Sequence, residues 1–221
     1  MAEQFKLAEH FISINGEGRC AGELALFLRF AGCNLRCDWC DTAWACGADA
    51  PFVPVSAEDI VQIAADAMAQ GVRNATLTGG EPLLQAGIGD VMQRLSALGL
   101  RVEIETNGAV PLAGFRSCGA VFTMDYKLPS SKMEQQMCTG NFALLRECDC
   151  VKFVCGSKTD VLRAKEIAVQ YQPQCPMYLS PVFGRLAPAE IVEIMKAEQM
   201  GNFRLQLQLH KFIWDPNARG V

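Results

Sequence analysis

The sequence lacks an apolar run long enough to cross a membrane. Its longest apolar stretches, such as LALFLRFAG at residues 24–32, contain a charge and fall well short of the about 18 residues that a spanning helix needs. The opening residues MAEQFKLAEHF have no basic start followed by an apolar segment, so we expect no secretory signal. The sequence therefore predicts a cytoplasmic protein.

The chain also lacks an excess of basic residues. Lys and Arg number 20 against 24 Asp and Glu, and the formal net charge of −4 offers no electrostatic footprint for a nucleic-acid backbone. No linker rich in Gly, Ser or Pro divides the 221 residues, and this length is typical of one domain. We expect a single domain over residues 1–221 that binds neither nucleic acid nor membrane.

Cysteine, in contrast, is abundant, with 11 residues. An odd number in a chain of this length without an export signal favours reduced thiols over a disulfide framework. Three of them, Cys33, Cys37 and Cys40, stand in one short loop, FAGCNLRCDWCDT at residues 30–42. The other eight are scattered, several of them in apolar runs, and we interpret them as small core residues.

Predicted strands alternate with predicted helices along the chain. Residues 23–31 indicate a buried strand, and residues 56–71 a helix with Ser56 as N-cap and Asp59 completing a capping box. Further helices are predicted at residues 86–99, 158–172 and 187–200, and further strands at NATLTGG, RVEIETNG, GAVFTMDYK, CVKFVCG, MYLSPVFG and FRLQLQLHKF. This alternation predicts an α/β protein with parallel strands.

Polar and glycine-containing motifs follow successive predicted strands. The cysteine loop follows the first of these strands, and the later strands are followed by TGGEP (78–82), ETNG (105–108), DYK (125–127) and SPVFG (180–184). Because active sites of such folds lie beyond the carboxyl ends of the strands, we expect these five motifs to gather at one rim.

The three thiols suggest iron–sulfur chemistry. Three thiolates satisfy three irons of a cubane cluster and leave the fourth iron free to bind another ligand. An electron-carrying cluster or a structural zinc normally takes four ligands, so the missing fourth cysteine disfavours a ferredoxin or a zinc ribbon. Cys46, six residues after Cys40, is the alternative fourth ligand, and the spacing leaves this alternative open.

The C-x3-C-x2-C loop resembles the radical S-adenosylmethionine (SAM) superfamily, as do Trp39 before the third cysteine and the glycine turn TGGEP. Residues 11–42 are very similar to the 7-carboxy-7-deazaguanine synthase family, and the similarity continues through VEIETNG, DYKLPSS and LQLHKFIWDPNARGV. The resemblance implies a partial (β/α)6-type radical SAM barrel with a reduced set of helices. The helix-poor segment from about residue 108 to 148 fits this fold.

The resemblance also implies an activity. Family members are carbon–nitrogen lyases that convert 6-carboxy-5,6,7,8-tetrahydropterin to 7-carboxy-7-deazaguanine with loss of ammonia, in queuosine-type deazapurine biosynthesis. The implied cofactors are a 4Fe-4S cluster on Cys33, Cys37 and Cys40, SAM at its open iron, and Mg²⁺ on Thr42. A flavodoxin or ferredoxin reductant and a homodimer are implied as well. No side chain is implied to be catalytic beyond the cluster and SAM.

Matching to the family motifs assigns the contacts residue by residue. The residues implied to bind SAM are Trp39, Cys40, Asp41, Gly79, Gly80, Glu81, Glu105, Asn107, Asp125, Tyr126, Lys127 and Ser180. Those implied to bind the pterin are Ile14, Asn15, Gly16, Glu17, Arg29 and Thr78. Glycines in the turn let a ligand approach the backbone closely, and the glutamate after them can take an ammonium group.

Arg29 stands in an apolar run, where an unpaired guanidinium is costly, so it needs a carboxylate partner. The substrate carboxylate fits its bidentate fork. The alternative is an internal ion pair with an acid such as Glu23 or Glu105.

Two other functions stay open at this point. One is an activating enzyme that installs a glycyl radical on a partner protein and shares the cluster and SAM site. The other is an iron–sulfur or zinc module without catalysis, in which Cys46 is a ligand. The role of the residues after Pro216 is also open.

Overall fold

A nine-stranded sheet organises the chain, and the computed structural model describes residues 4–221. The strands are β1 Phe5–Ile14, β2 Leu24–Phe30, β3 Val53–Val55, β4 Asn74–Gly79, β5 Arg101–Thr106, β6 Val121–Asp125, β7 Cys150–Cys155, β8 Met177–Pro181 and β9 Phe203–Leu205. Their order across the sheet is β3-β1-β2-β4-β5-β6-β7-β8-β9. Strand β2 and strands β4 to β9 run parallel, whereas β1 and β3 pair antiparallel at one edge.

Few helices accompany this sheet. They are α1 Ala57–Ala69, α2 Ile88–Ala97, α3 Lys158–Tyr171, α4 Pro188–Ala197 and a short α5 His210–Ile213. Helix α1 begins with the predicted capping box, because the Ser56 side chain accepts from the Asp59 N–H and the Asp59 carboxylate accepts from the Ser56 N–H. In the described segment 126–149 there are 3₁₀ turns and no α-helix. The predicted α/β fold with a reduced set of helices is therefore confirmed.

The hydrophobic core lies between the sheet and the helices. Phe30, Leu77, Ile104, Phe122 and Phe153 come from five parallel strands, and each is at most 1% exposed. Full burial of such a side chain contributes about 1.5–3 kcal/mol. Within residues 4–221, no helix combines the length and the apolar character that a bilayer span requires.

The opposite face of the same strands is polar. Successive residues of a strand point to opposite faces, and the register aligns Arg29 of β2 with Thr78 of β4, and Asp125 of β6 with Lys152 of β7. These residues and Glu105 of β5 line one cavity. One face of the sheet thus packs on the apolar core, and the other face forms the wall of a charged cavity.

The sequence pattern failed at both edges of the sheet. Strands β1 and β3 were not predicted, and the predicted strand FRLQLQLHKF is a strand at Phe203–Leu205 alone. Beyond it, Gln206 pairs its side chain with the backbone of Gly18, in the loop between β1 and β2. This contact turns the chain away from the sheet and across the open end of the strands.

Candidate active site

One cavity of about 670 Å³ opens at the carboxyl ends of the parallel strands. Its wall combines the cysteine loop after β2, the glycine turn after β4, the ends of β5 and β6, and residues 182–183 after β8. The structure thus brings the five predicted motifs to one rim. All of the predicted site residues line this cavity except Asn15, Glu81, Tyr126 and Ser180.

Backbone hydrogen bonds fold the cysteine loop back on itself. The Cys33 N–H donates to the Cys46 carbonyl at 3.2 Å, and the Cys40 N–H donates to the Cys37 carbonyl at 3.3 Å. The thiols of Cys33, Cys37 and Cys40 are half-buried in the cavity wall. Cys46 is buried, and its Sγ lies 4.0 Å from the Cys40 Sγ. Four thiols therefore gather here, three of them in the predicted spacing.

The glycine turn packs directly on the start of the cysteine loop. A Cβ on Gly79 would lie 2.1 Å from the Phe30 carbonyl oxygen, and one on Gly80 would lie 2.1 Å from the Gly32 carbonyl oxygen. Hydrogen bonds hold the two segments together, from the Gly80 N–H to Phe30 and from the Glu81 N–H to Gly32, both at 2.9 Å. The sequence predicted that a ligand approaches the backbone closely at these two glycines. In the structure, the backbone of residues 30–32 makes a close approach there.

Glu81 is not among the residues that line the cavity, and its predicted contact with the SAM ammonium stays a prediction. Its side chain is fully buried and accepts hydrogen bonds from the Asn107 N–H (2.7 Å), the Leu83 N–H (3.1 Å) and the Thr106 hydroxyl (3.0 Å). Burial raises the pKa of Glu81 to about 7, against these hydrogen bonds. The carboxylate organises the ends of β4 and β5.

Three other residues predicted to contact a ligand are also absent from the cavity lining. Tyr126 is 4% exposed and packs its ring against Phe142 and Phe153, so it belongs to the core. Ser180 is fully buried and donates to Glu17 Oε1 at 2.6 Å. Asn15 is 2% exposed, and its side-chain oxygen accepts from the Thr76 hydroxyl at 2.8 Å. A strand-end motif predicts the rim but not the direction of each side chain.

The floor of the cavity is a row of alternating charges that connects β6, β7 and the loop between β1 and β2. Lys152 Nζ lies 3.0 Å from Glu17 Oε2 and 3.8 Å from Asp125 Oδ2, and Lys127 Nζ lies 2.8 Å from the same Asp125 oxygen. Burial alone would lower the pKa of Lys152, but the charges of Glu17, Asp125 and Glu105 raise it well above its usual value. Lys152 is therefore a buried cation held by acids.

Both carboxylate oxygens of Glu17 accept hydrogen bonds. Besides Lys152 it accepts from Ser180 and, at 3.2 Å, from the Gln208 side chain. Burial opposes ionisation, yet the Lys152 charge and these hydrogen bonds lower the pKa of Glu17. The sequence analysis missed Lys152 and Gln208. A lysine inside the apolar strand CVKFVC could have been found, because such a charge requires a partner.

Arg29 has an internal partner that was not predicted. Its Nε lies 2.7 Å from Glu9 Oε1 on β1, whereas the proposed alternatives are engaged elsewhere, Glu23 with Arg101 and Glu105 with the Thr78 hydroxyl. Among the described residues, the terminal nitrogens of Arg29 make no hydrogen bond. Both Arg29 and Glu9 line the cavity. The guanidinium is thus fixed at one nitrogen and keeps two for a ligand.

Thr42 sits at the mouth of the cavity next to a bridge from the last segment of the chain. Its hydroxyl donates to Asp41 Oδ1 at 3.0 Å, and Lys211 Nζ lies 3.2 Å from Asp41 Oδ2. Lys211 also donates to the Pro216 carbonyl at 3.0 Å. The hydroxyl oxygen accepts no hydrogen bond from the described residues, and Thr42 lines the cavity.

Residues 206–221 lie across the cavity. The Leu209 N–H donates to the Gly16 carbonyl at 3.1 Å, and His210 packs on Gly16, where a Cβ would lie 2.6 Å from Nδ1. Farther along, the Arg219 guanidinium stacks on Trp44 at 4.4 Å. Residues 216–221 all line the cavity, so this segment covers it and contacts the end of the cysteine loop through Trp44.

The three thiols of the predicted spacing differ in acidity. Hydrogen bonds from Cys46 lower the pKa of Cys33 to about 6 and that of Cys40 to about 7, although burial opposes the shift. Burial raises the pKa of Cys37 to about 11. The same hydrogen bonds raise the pKa of Cys46 far above its usual range.

The comparisons with known proteins agree with this geometry. Residues 28–139 match the family model of the radical SAM superfamily. The 7-carboxy-7-deazaguanine synthase of Clostridium acetobutylicum is 47% identical over 98% of this chain and 99% of its own length, and that of Chlorobaculum tepidum is 37% identical over 97% and 96%. The crystal structure of QueE from Escherichia coli superposes with a TM-score of 0.73 at 23% identity, over 92% of this chain and 93% of that chain.

The thiol acidities predict the order in which cysteines are alkylated in the cluster-free, reduced protein. At pH 7.5, iodoacetamide should modify Cys33 and Cys40 at least about tenfold faster than Cys37, because the thiolate is the reacting form. Peptide mapping by mass spectrometry measures these rates. Cys46→Ala should slow both reactions, whereas Cys46→Ser keeps a hydrogen-bond donor and serves as the control. Equal rates at Cys33 and Cys37 would contradict the prediction.

Proposed function

The chain belongs to the 7-carboxy-7-deazaguanine synthase family of the radical SAM superfamily, and we propose that it converts 6-carboxy-5,6,7,8-tetrahydropterin to 7-carboxy-7-deazaguanine with loss of ammonia. It is an enzyme of the radical SAM lyase type, a class that uses a 4Fe-4S cluster and SAM. One observation carries the proposal, the convergence of the cysteine loop, the glycine turn and Arg29 on one cavity. We assign the whole activity to one domain, residues 1–221.

The cysteine loop fits a 4Fe-4S cluster with three protein ligands. Cys33, Cys37 and Cys40 offer three half-buried thiols to the cavity, and each iron of a cubane takes one thiolate, which leaves the fourth iron for SAM. Within residues 4–221, no three His, Cys, Asp or Glu side chains are close enough to hold a single metal ion. We assign Cys46 the role of a neighbour that bonds the ligand thiols.

When bound, the reduced cluster and SAM supply a 5′-deoxyadenosyl radical, while the protein supplies position, charge and exclusion of water. For SAM, we assign the wall formed by Trp39, Asp125 and Lys127. Trp39 Nε1 and Asp125 Oδ1 are buried without a hydrogen-bond partner among the described residues, and the Lys127 ammonium lies 5.3 Å from the Trp39 ring centre. A nucleoside with hydroxyl and carboxylate groups can satisfy such a donor, acceptor and cation together.

The pterin belongs on the side of the cavity formed by β1, β2 and the loop between them. We propose that the free nitrogens of Arg29 bind the pterin carboxylate and that Glu9 holds the guanidinium in place through Nε. Backbone groups of Ile14 and Gly16 and the Thr78 hydroxyl complete this side. Residues 206–221 exclude water from it.

Magnesium is proposed at Thr42. Its hydroxyl donates to Asp41, which leaves oxygen lone pairs for a cation. Mg²⁺ keeps several waters and needs few protein ligands, so one hydroxyl together with substrate oxygens is sufficient. We further propose a flavodoxin or ferredoxin as reductant and a homodimer as the assembly, both on the basis of family membership.

An anaerobic assay of the reconstituted, reduced protein tests this function. With SAM and 6-carboxytetrahydropterin, we expect many deazaguanine molecules per SAM, and more with Mg²⁺, when products are followed by mass. Thr42→Val removes the hydroxyl at nearly constant size and should abolish the stimulation by Mg²⁺. SAM cleavage without pterin consumption would favour the activating enzyme instead. Absence of both SAM binding and SAM cleavage would favour the non-catalytic module.

Substitution of Arg29 tests the carboxylate contact. Arg29→Lys should raise the KM for the pterin by about ten- to a hundredfold, since hydrogen bonds to charged groups contribute about 1.5–3 kcal/mol and lysine cannot form the fork. The KM for SAM should stay constant. Arg101→Lys is the matched control, because its ion pair with Glu23 is exposed at the other end of the sheet. An unchanged pterin KM in Arg29→Lys would refute the contact.

A further inference from the structure

Asn107, at the end of β5, has a side chain whose orientation is completely determined. Its Oδ1 accepts from the Ala109 N–H at 2.9 Å, and its Nδ2 donates to Asn34 Oδ1 at 2.8 Å. Nδ2 also lies 3.6 Å from the Sγ of Cys33. An amide nitrogen has two hydrogens, so one serves Asn34 and the other is directed to the sulfur. Asn107 lines the cavity, and its predicted SAM contact stays a prediction, while the protein itself already uses its carboxamide.

The backbone of Asn107 is equally constrained. Its N–H donates at 2.7 Å to Glu81, whose carboxylate is buried and also binds Thr106 and Leu83. Asn107 is 7% exposed. The donor therefore stands on the rigid rim of the sheet, while the sulfur belongs to the cysteine loop. Little conformational entropy is lost when the N–H group meets the sulfur, since the donor is already in place.

Cys33 is distinguished from the other two thiols of the loop by its donors. The Leu35 N–H lies 3.4 Å from its Sγ, so two amide groups point to this sulfur. Cys40 receives one backbone amide, from Thr42, and has the Cys46 thiol at 4.0 Å, whereas Cys33 alone among the three has a side-chain amide directed to its sulfur within residues 4–221. The environment of the three sulfurs is thus asymmetric.

We propose that Asn107 is a positioning residue that sets the reduction potential of the cluster by donating its second N–H to the Cys33 sulfur. The inference rests on the proposed function in one respect, that Cys33 is a cluster ligand. Hydrogen bonds to the sulfurs are one of the factors that set cluster potentials. A donor stabilises negative charge on the sulfur, and the reduced cluster carries one more electron than the oxidised one. Loss of the donor therefore makes reduction harder.

Potentiometric titration of the reconstituted protein, followed by electron paramagnetic resonance, tests this role. In Asn107→Ala we expect about a tenfold lower ratio of reduced to oxidised cluster at a fixed potential, which for one electron is a midpoint about 59 mV more negative. Asn34→Ala removes the acceptor that orients the amide and should shift the midpoint in the same direction by less. Iron and sulfide content confirm that each variant is loaded.

Asn74→Ala is the matched control. Asn74 is also a buried asparagine, with hydrogen bonds to Glu23 and Leu24, but it lies at the start of β4 and thus at the opposite end of the sheet. Its midpoint should equal that of the unmodified protein. If Asn107→Ala takes up no cluster, Asn34→Ala decides, because Asn34 is exposed and its substitution leaves the Glu81 network intact.

Three outcomes separate the alternatives. A lower midpoint with unchanged SAM affinity supports the proposal, even if the pterin is not the substrate. A normal midpoint with weakened SAM binding in Asn107→Ala would overturn it and make Asn107 a SAM contact. If Cys33→Ala still takes up a complete cluster, the ligand assignment of the proposed function fails, and this inference fails with it.

Discussion

The whole site depends on one close contact, between the glycine turn after β4 and the carboxyl end of β2. Parallel pairing of these strands brings Gly79 and Gly80 so near to residues 30–32 that a Cβ at either glycine would lie 2.1 Å from a carbonyl oxygen. The cysteine loop is thereby fixed to the rim of the sheet at its first residue. Glu81, next in the turn, extends this order to the end of β5 and so to Asn107.

Charge compensation organises the rest of the cavity. Lys152, Asp125 and Lys127 alternate along the floor, and Glu17 connects them to the loop between β1 and β2. Buried ions that keep partners retain their charge, whereas an unpaired one would be neutralised or expelled. The Gln208 contact with Glu17 attaches the last segment of the chain to the same network. The floor, the substrate side and the cover are therefore electrostatically coupled.

Much of this could be predicted from the sequence, and the failures have physical causes. Strand and helix alternation predicted the rim, because parallel strands place their carboxyl ends together. Alternation of side chains along a strand predicts which face of the sheet each one is on. Past the end of a strand it does not predict where a side chain points. Glu81 and Tyr126 follow strand ends, and neither is among the residues that line the cavity. Long-range pairing of Arg29 with Glu9 requires strand β1, whose pattern was not recognised. The partner of Lys152 lies 135 positions away in the chain.

The iron content of Gly80→Ala after anaerobic reconstitution tests the central contact most directly. The added methyl group would clash with the Gly32 carbonyl oxygen at 2.1 Å and with the Cys33 Cβ at 2.9 Å, so the start of the cysteine loop must move. We predict a folded protein that takes up much less than one 4Fe-4S cluster per chain. Gly114→Ala is the control, because a Cβ added at Gly114 would have no neighbouring heavy atom within 4 Å, and this variant should reconstitute fully. A Gly80→Ala protein with a complete cluster and normal SAM binding would contradict the account.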